Sequence, residues 1–175
     1  MKLADALSLI RDIPDYPKPG ILFKDITPLL ANAEAFASVI SAFADLVEEP
    51  EIIAGIEARG FIFAAALALE TNSGFVPFRK SGKLPYETIG AKYGLEYGND
   101  EIEVHTDAFN GAKQIVIIDD VLATGGTICA AIELAERSGA SIESVLVLFE
   151  ISGLGGRELI ATKYPNITVK TLVSS

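Results

Sequence analysis

The chain has 175 residues, 50% of them hydrophobic, with 24 acidic against 14 basic side chains and a net charge of -10. That length suits one domain, residues 1–175, with a sheet covered by helices, and the hydrophobic content excludes disorder. The acidic balance argues against nucleic acid as a partner, because affinity for it rests on Lys and Arg.

Leu3, Ala6, Leu7 and Ile10 recur at helical spacing and predict an opening amphipathic helix. Asp5 follows Lys2 closely, and Arg11 and Asp12 end the apolar run, so no signal peptide is expected. Pro14, Pro17 and Pro19 then make Asp12 to Gly20 a stiff connector. Phe23, close to the Pro19-Gly20 turn, is either ligand-facing or core. Phe36, Val39, Ile40, Phe43, Leu46 and Val47 form the stripe of a helix from Glu34 to Glu48.

Glu51 to Ile56 reads as the first buried strand, and Glu57-Ala58-Arg59-Gly60 stands at its carboxyl end. Gly60 permits tight entry into the apolar helix Phe61 to Leu69, the longest apolar stretch, which is too short for a bilayer needing ~20 residues. The amides at that helix start, with Arg59 beside them, offer an anion site. The plainer role for Arg59 is a surface ion pair. A further strand, Gly74 to Phe78, ends in Arg79, Lys80 and Lys83, which are either a solvated cluster or an anion-holding group.

Ser81 to Asp107 changes texture, with Gly82, Pro85, Gly90, Gly94 and Gly98 interleaved with Tyr86, Tyr93 and Tyr97. So long an irregular segment in a compact domain is expected to be a lid or binding loop. Short strands near Thr88 to Lys92 and Glu101 to Val104 would pair as a projecting hairpin. Glu96, Glu101 and Glu103 are the carboxylates it offers. The lone His105 is too far in sequence from Cys129 to suggest a metal site and is expected at an edge or on the surface.

Ile115 to Ile118 is an unbroken β-branched run, the pattern of a strand buried on both faces of a parallel sheet. Asp119 and Asp120 should stand at its carboxyl end, where open α/β sheets place ligands. In Ala123-Thr124-Gly125-Gly126-Thr127 the paired glycines allow successive amides to converge, and the next helix (Ile128, Ala131, Ile132, Ala135) adds its positive end. Gly126 stands where a Walker A loop needs Lys, so a sugar monophosphate fits better than a nucleoside triphosphate. The two aspartates would accept ribose hydroxyls or hold Mg²⁺ through water. A plain strand-loop-helix connector is the alternative.

Cys129, on that helix, is the only cysteine, which excludes an intrachain disulfide and favours a cytoplasmic protein. It is expected in the core, although a helix start can lower a thiol pKa. Val145 to Phe149 reads as another buried strand within Ser141 to Glu150. The glycines of Ile151-Ser152-Gly153-Leu154-Gly155-Gly156-Arg157 suggest a tight loop before a helix near Glu158 to Thr162, and Ile167 to Leu172 is a last edge strand.

Val116-Ile117-Ile118-Asp119-Asp120-Val121-Leu122-Ala123-Thr124-Gly125-Gly126-Thr127 resembles the phosphoribosyl-pyrophosphate (PRPP) signature of the type I phosphoribosyltransferases. Pro19 to Ile26, Glu57 to Phe61, Pro77 to Pro85 and Leu95-Glu96-Tyr97-Gly98 are similar, in order, to motifs of the adenine phosphoribosyltransferases. The resemblance covers nearly the whole chain. It implies an α/β fold, a twisted, mostly parallel sheet with helices on both faces plus a small hood, which also follows from the alternation of strands and helices. Residues 1–32 would be an arm carrying part of the base site, and residues 81–107 a mobile lid.

The activity implied is transfer of the phosphoribosyl group from PRPP to N9 of adenine, giving AMP and pyrophosphate, with Mg²⁺ carried by PRPP and water rather than by a protein metal site. Asp119 and Asp120 would hold the ribose hydroxyls and Ala123 to Thr127 the 5′-phosphate. The resemblance assigns Glu57, Ala58, Arg59, Arg79, Lys80 and Lys83 to pyrophosphate, with a non-proline cis peptide at Glu57 and Ala58. Leu22, Phe23, Lys24, Val121 and Ile151 would contact adenine. Glu96 would be catalytic, exchanging a proton with the base under a lid that excludes water from an oxocarbenium-like state. An extra glycine stands where the family often has Lys before Gly156-Arg157, which leaves that loop's geometry open. A homodimer is implied, and neither nucleic acid nor membrane is an expected partner. The rivals are a xanthine or hypoxanthine phosphoribosyltransferase and a non-catalytic PRPP-sensing regulator.

Overall fold

The computed structural model describes residues 1–94, 100–109, 111–112 and 114–174, and the chain divides into two compact units, Met1–Asp45 and Leu46–Ser175.

In the first unit, α1 (Leu3–Leu7), α2 (Thr27–Leu30) and α3 (Ala33–Ala44) accompany two strands, β1 (Arg11–Pro14) and β2 (Leu22–Asp25). The buried side chains are Ala6, Ile26, Leu29, Ala35, Val39, Ile40 and Phe43, the last three from the predicted stripe of α3. Asn32 caps α3 by accepting the Ala35 amide at 3.0 Å, and the helix ends at Ala44, short of the expected Glu48. Part of the expected connector is a strand: Arg11 to Pro14 pairs antiparallel with β2. Two cross-strand ion pairs hold this ribbon, Arg11 to Asp25 at 3.2 Å and Lys24 to Asp12 at 2.7 Å. Opposite charges facing across strands stabilise pairing that proline-rich sequence would not predict.

The second unit is a seven-stranded sheet in the order β5-β6-β4-β3-β7-β8-β9. Its strands are β3 (Ile52–Ile56), β4 (Gly74–Lys80), β5 (Thr88–Tyr93), β6 (Asp100–His105), β7 (Ile115–Leu122), β8 (Ile142–Glu150) and β9 (Thr168–Ser174). The run from β4 to β9 is parallel, while β6 lies antiparallel to β4 and β5 antiparallel to β6. The helices α4 (Gly60–Glu70), α5 (Gly126–Arg137) and α6 (Gly156–Lys163) connect parallel strands. Ile115, Ile117, Val145 and Val147 pack with Ile128, Ala131 and Ile132 of α5. The alternate residues Val116, Ile118, Leu146 and Leu148 are buried on the other face, that of α4. Burial on both faces is the reason these strands read as unbroken apolar runs.

Two features differ from expectation. The predicted hairpin exists, but β6 is joined to β4 through Arg79 opposite Glu103 and Lys80 opposite Ile102. Ala91, Ile102 and Val104 of that hairpin are buried in the main core, so much of residues 81–107 is sheet rather than a projecting flap. Correspondingly, β4 does not end at Phe78 but runs on through Arg79 and Lys80. His105 is half-buried on β6, an inner strand, with the Tyr86 ring set edge-on to it at 6.1 Å.

Candidate active site

The chain from β3 leads through α4 outward to β4, and the chain from β7 leads through α5 the opposite way to β8. The sheet therefore has its switch point between β3 and β7, and the loops following those strands diverge there into a crevice.

The loop after β7 is the phosphate-sized half of that crevice. Gly125 has φ 82°, a left-handed conformation that glycine takes without strain, and it is the N-cap of α5. The first amide of α5 to find a backbone acceptor is that of Cys129, which donates to the Gly125 carbonyl at 2.9 Å. The amides of Thr124 to Ile128 have no acceptor among the described residues. They border a cavity of 120 Å³ lined by Asp119, Val121, Ala123, Thr124, Gly125, Gly126, Thr127 and Ile128. Unpaired amides at the positive end of a helix suit an oxyanion. Beside it lies a wider, mainly apolar cavity of 440 Å³, lined by Tyr93, Gly94 and Leu159 as well as Thr124, Gly126 and Thr127.

Asp119 and Asp120 do not end the strand. They are inside β7, which continues to Leu122, and their carboxyl groups interact with each other beside the start of α4, where a Cβ on Gly60 would stand 3.1 Å from Asp119 Oδ1. Asp119 lines the cavity, and its Oδ1 accepts the Asp120 amide at 2.8 Å. Asp120 is buried on the α4 side, where the Arg59 guanidinium stands 2.6 Å from its Oδ2. Burial pushes the Asp119 carboxyl well above its ordinary range, and the neighbouring Asp120 charge pushes it further. Burial raises Asp120 as well, against the opposing pull of Arg59.

The turn after β3 has the Glu57–Ala58 peptide in the cis form that the resemblance implies. Ala58 is exposed, and Gly60 starts α4 hard against β7: a Cβ there would lie 2.8 Å from the Ile118 carbonyl oxygen. Glu57 reaches across to β4, where its Oε2 accepts Arg79 Nε at 3.2 Å and the Lys80 amide at 2.9 Å. Burial raises the Glu57 pKa, but the Lys80 amide and Arg79 outweigh it and hold the carboxyl below its ordinary value. The four bases read as one group thus divide. Arg59 and Arg79 are tied to acids, whereas Lys80 and Lys83 are exposed, with no carboxylate at ion-pair distance among the described residues.

Of the remaining expected residues, Val121 lines the phosphate cavity, and Ile151 is half-buried just past β8, its amide donating to the Leu122 carbonyl at 2.9 Å. In the first unit, Leu22 is 48% exposed and Phe23 is half-buried, with the Tyr16 ring edge-on at 5.2 Å. Glu96 lies outside the described residues. The Cys129 thiol is buried, and burial pushes its pKa up, so the helix start does not activate it. Among the described residues no group of three or more His, Cys, Asp or Glu could hold a metal ion, and no helix is long and apolar enough to cross a membrane.

Two contributors were visible in the sequence, Gly156 in the loop before α6 and Glu103 in the hairpin, but their contacts were not. Gly156 is buried against the phosphate loop: a Cβ there would meet the Ala123 carbonyl oxygen, and would lie 3.0 Å from the Gly125 nitrogen. Its signal was the second Gly-Gly pair, Gly155-Gly156. Glu103 is 7% exposed within β6, and its signal was a carboxylate between Ile102 and Val104.

A crevice at a sheet's switch point, with free amides and a carboxylate at one loop and bases at the next, defines a protein that handles a phosphorylated sugar. The sequence model of the phosphoribosyl transferase domain family matches residues 25–172. Adenine phosphoribosyltransferase of Carboxydothermus hydrogenoformans is 50% identical over 161 residues, covering 91% of this chain and 95% of its own. The crystal structure of the enzyme of that name from Thermoanaerobacter pseudethanolicus superposes with a TM-score of 0.91 at 45% identity, covering 99% of this chain and 100% of its own. The Saccharomyces cerevisiae enzyme, crystallised with an imino-altritol bisphosphate and adenine, gives 0.90 at 38% identity, with 98% of each chain covered. The chain belongs to the adenine phosphoribosyltransferase family.

Proposed function

We propose that this chain transfers the 5-phosphoribosyl group of PRPP to N9 of adenine, giving AMP and pyrophosphate. The observation that carries the reading is the run of amides from Thr124 to Ile128, without an acceptor among the described residues, beside a 120 Å³ cavity that Asp119 also lines. Phosphate meets the amides, and Asp119 accepts hydrogen bonds from the ribose hydroxyls next to it. Asp120, paired with Arg59, acts on the pyrophosphate side by holding that guanidinium in place. Lys80 and Lys83 supply free positive charge to the diphosphate, with Arg79 and the turn at Glu57 and Ala58 forming the wall behind them.

In the reaction the bond from the anomeric carbon to the pyrophosphate oxygen breaks, and pyrophosphate leaves with the electron pair. N9 of the purine forms the new bond and gives up its proton. By resemblance Glu96 takes that proton, under a lid formed within residues 81–107 that keeps water from the cationic sugar. Val121 and Ile151 offer the base apolar surface. For the first unit the resemblance alone carries the assignment of Leu22, Phe23 and Lys24 to the purine, and in Lys24 the ammonium is already held by Asp12. The donor set suits Mg²⁺ carried by the substrate: among the described residues Asp119 is the one carboxylate lining the phosphate cavity. When bound, the ion would offset charge on the departing pyrophosphate.

We read the compartment as the cytoplasm, in keeping with a single, buried cysteine, and the assembly as a homodimer. Ile62, Leu69 and Phe75, exposed by 38%, 86% and 40% on α4 and β4, offer apolar surface to a second copy. The deciding experiment is a substrate panel of adenine, hypoxanthine and xanthine with PRPP and Mg²⁺. AMP formation from adenine, with the 6-oxopurines turned over poorly, is expected. Turnover of either 6-oxopurine without adenine would reject the assignment.

A further inference from the structure

We propose that Glu103 is the positioning residue of the pyrophosphate half of the site, holding the loop between β4 and β5 in the shape that presents Lys83. This rests on the phosphoribosyltransferase reading above and adds a residue to it.

Glu103 sits mid-strand in β6, between Ile102 and Val104, which are 1% and 0% exposed. Its carboxylate is turned to the neighbouring loop rather than to a cation: no ion pair to it occurs among the described residues. Oε1 accepts the Gly82 amide at 3.0 Å and the Leu84 amide at 3.3 Å, and Oε2 accepts the Thr88 hydroxyl at 3.3 Å. The two amides flank Lys83. Lys83 itself donates its amide to the Lys80 carbonyl at 3.3 Å and receives Arg79 Nη1 on its own carbonyl at 3.2 Å. Its backbone is therefore pinned on both sides, and its exposed ammonium is the free end of the assembly.

A charged acceptor makes stronger hydrogen bonds than a neutral one and resists exchange with water when buried. Two loop amides and the hydroxyl of Thr88, where the loop enters β5, converge on such a group and fix the loop's shape. Gly82, at φ 78°, allows the turn that brings its amide inward. Arg79 lies directly opposite Glu103 in the β4–β6 register and is also tied to Glu57, so the loop is continuous with the cis-peptide turn after β3. Loss of the Glu103 carboxylate would free the segment carrying Lys83 while leaving the phosphate loop after β7 untouched.

The test compares Glu103→Ala, Glu103→Gln and wild type in the forward reaction and in pyrophosphorolysis of AMP. With hydrogen bonds to a charged group removed, KM for pyrophosphate and for PRPP should rise about tenfold in Glu103→Ala. KM for AMP, read at saturating pyrophosphate, should stay within about twofold, and Glu103→Gln, which keeps an acceptor for the two amides, should recover most of the loss. If Glu103→Ala does not fold, Thr88→Val removes one donor of the cluster and should raise KM for pyrophosphate and for PRPP by a smaller factor, with KM for AMP unchanged. Unchanged pyrophosphate KM in every folded variant, or equal rises for AMP and pyrophosphate, would overturn the proposal while leaving the enzyme assignment standing. Absence of adenine-dependent turnover in the wild type would overturn both.

Discussion

Asp119 and Asp120 are consecutive on β7 and their carboxyl groups interact, but of the two, among the described residues, only Asp119 lines the phosphate cavity and only Asp120 stands at ion-pair distance from Arg59. Asp119 faces the phosphate cavity at the cost of desolvation, and Asp120 is compensated by Arg59. The consequence for stability has a definite sign. A carboxyl whose pKa is raised by folding binds its proton more tightly in the native state, so its contribution is complete below the ordinary carboxylate range and is lost as pH rises through the raised value. Asp119→Asn should therefore melt higher than wild type at neutral pH, and the gap should shrink on acidification. Thermal melts of both proteins between about pH 4 and about pH 9 measure it. The same substitution should raise KM for PRPP about tenfold or more, since a neutral amide replaces a charged acceptor for ribose hydroxyls. A variant that is more stable yet poorer in catalysis is the mark of a residue retained for function.

Among the elements, the phosphate loop depends on a neighbour distant in sequence. The start of α6 packs directly behind it, and the absence of a side chain at Gly156 permits that approach, as a Cβ would lie 2.7 Å from Leu122 Cδ1 and close on the Ala123 carbonyl. Gly156→Ala should cost about 1–3 kcal/mol in a denaturant titration and raise KM for both AMP and PRPP by displacing the amides. Gly153→Ala is the control: its φ of 81° makes substitution costly by about 1 kcal/mol, but nothing lies within 4 Å, so KM should not move. The start of α6 is itself anchored by Arg157, whose Nε and Nη2 bind the Glu150 carboxylate and whose Nη1 donates to the Val169 carbonyl at 2.7 Å. Arg157→Lys should lose about 1–2 kcal/mol, because an ammonium cannot reproduce the fork that ties β8, α6 and β9 together. Hydrogen exchange at β9, the sheet edge, should accelerate first.

For the whole molecule the net charge of -10 sets a repulsive background that binding of an anionic substrate must overcome locally. Raising ionic strength from about 10 mM to about 150 mM should increase the melting temperature at alkaline pH, because screening relieves that repulsion. Association should respond to Leu69, an apolar side chain 86% exposed on α4. Sedimentation is expected to give a dimer for wild type and a shift toward monomer for Leu69→Lys. A wild-type monomer at about micromolar concentration would remove the dimer from the reading.

What the amino-acid order determined by itself was local. The β-branched run Ile115 to Ile118 marked a central strand, the glycines after it marked an anion nest, and the alternation of strands with helices placed both at the carboxyl side of a parallel sheet. These patterns are written within a few residues, where backbone preference and periodicity act. Tertiary structure alone decided which acid meets which base, Arg59 with Asp120 and Arg79 with Glu57, and so which of the four bases stay free. It also decided that Arg11 to Pro14 is a strand, that β6 joins β4, and that Glu103 serves the loop before it rather than the solvent. A strand's hydrogen-bonding edge and a buried charge each take whatever partner packing brings near, and no spacing along the chain encodes that choice.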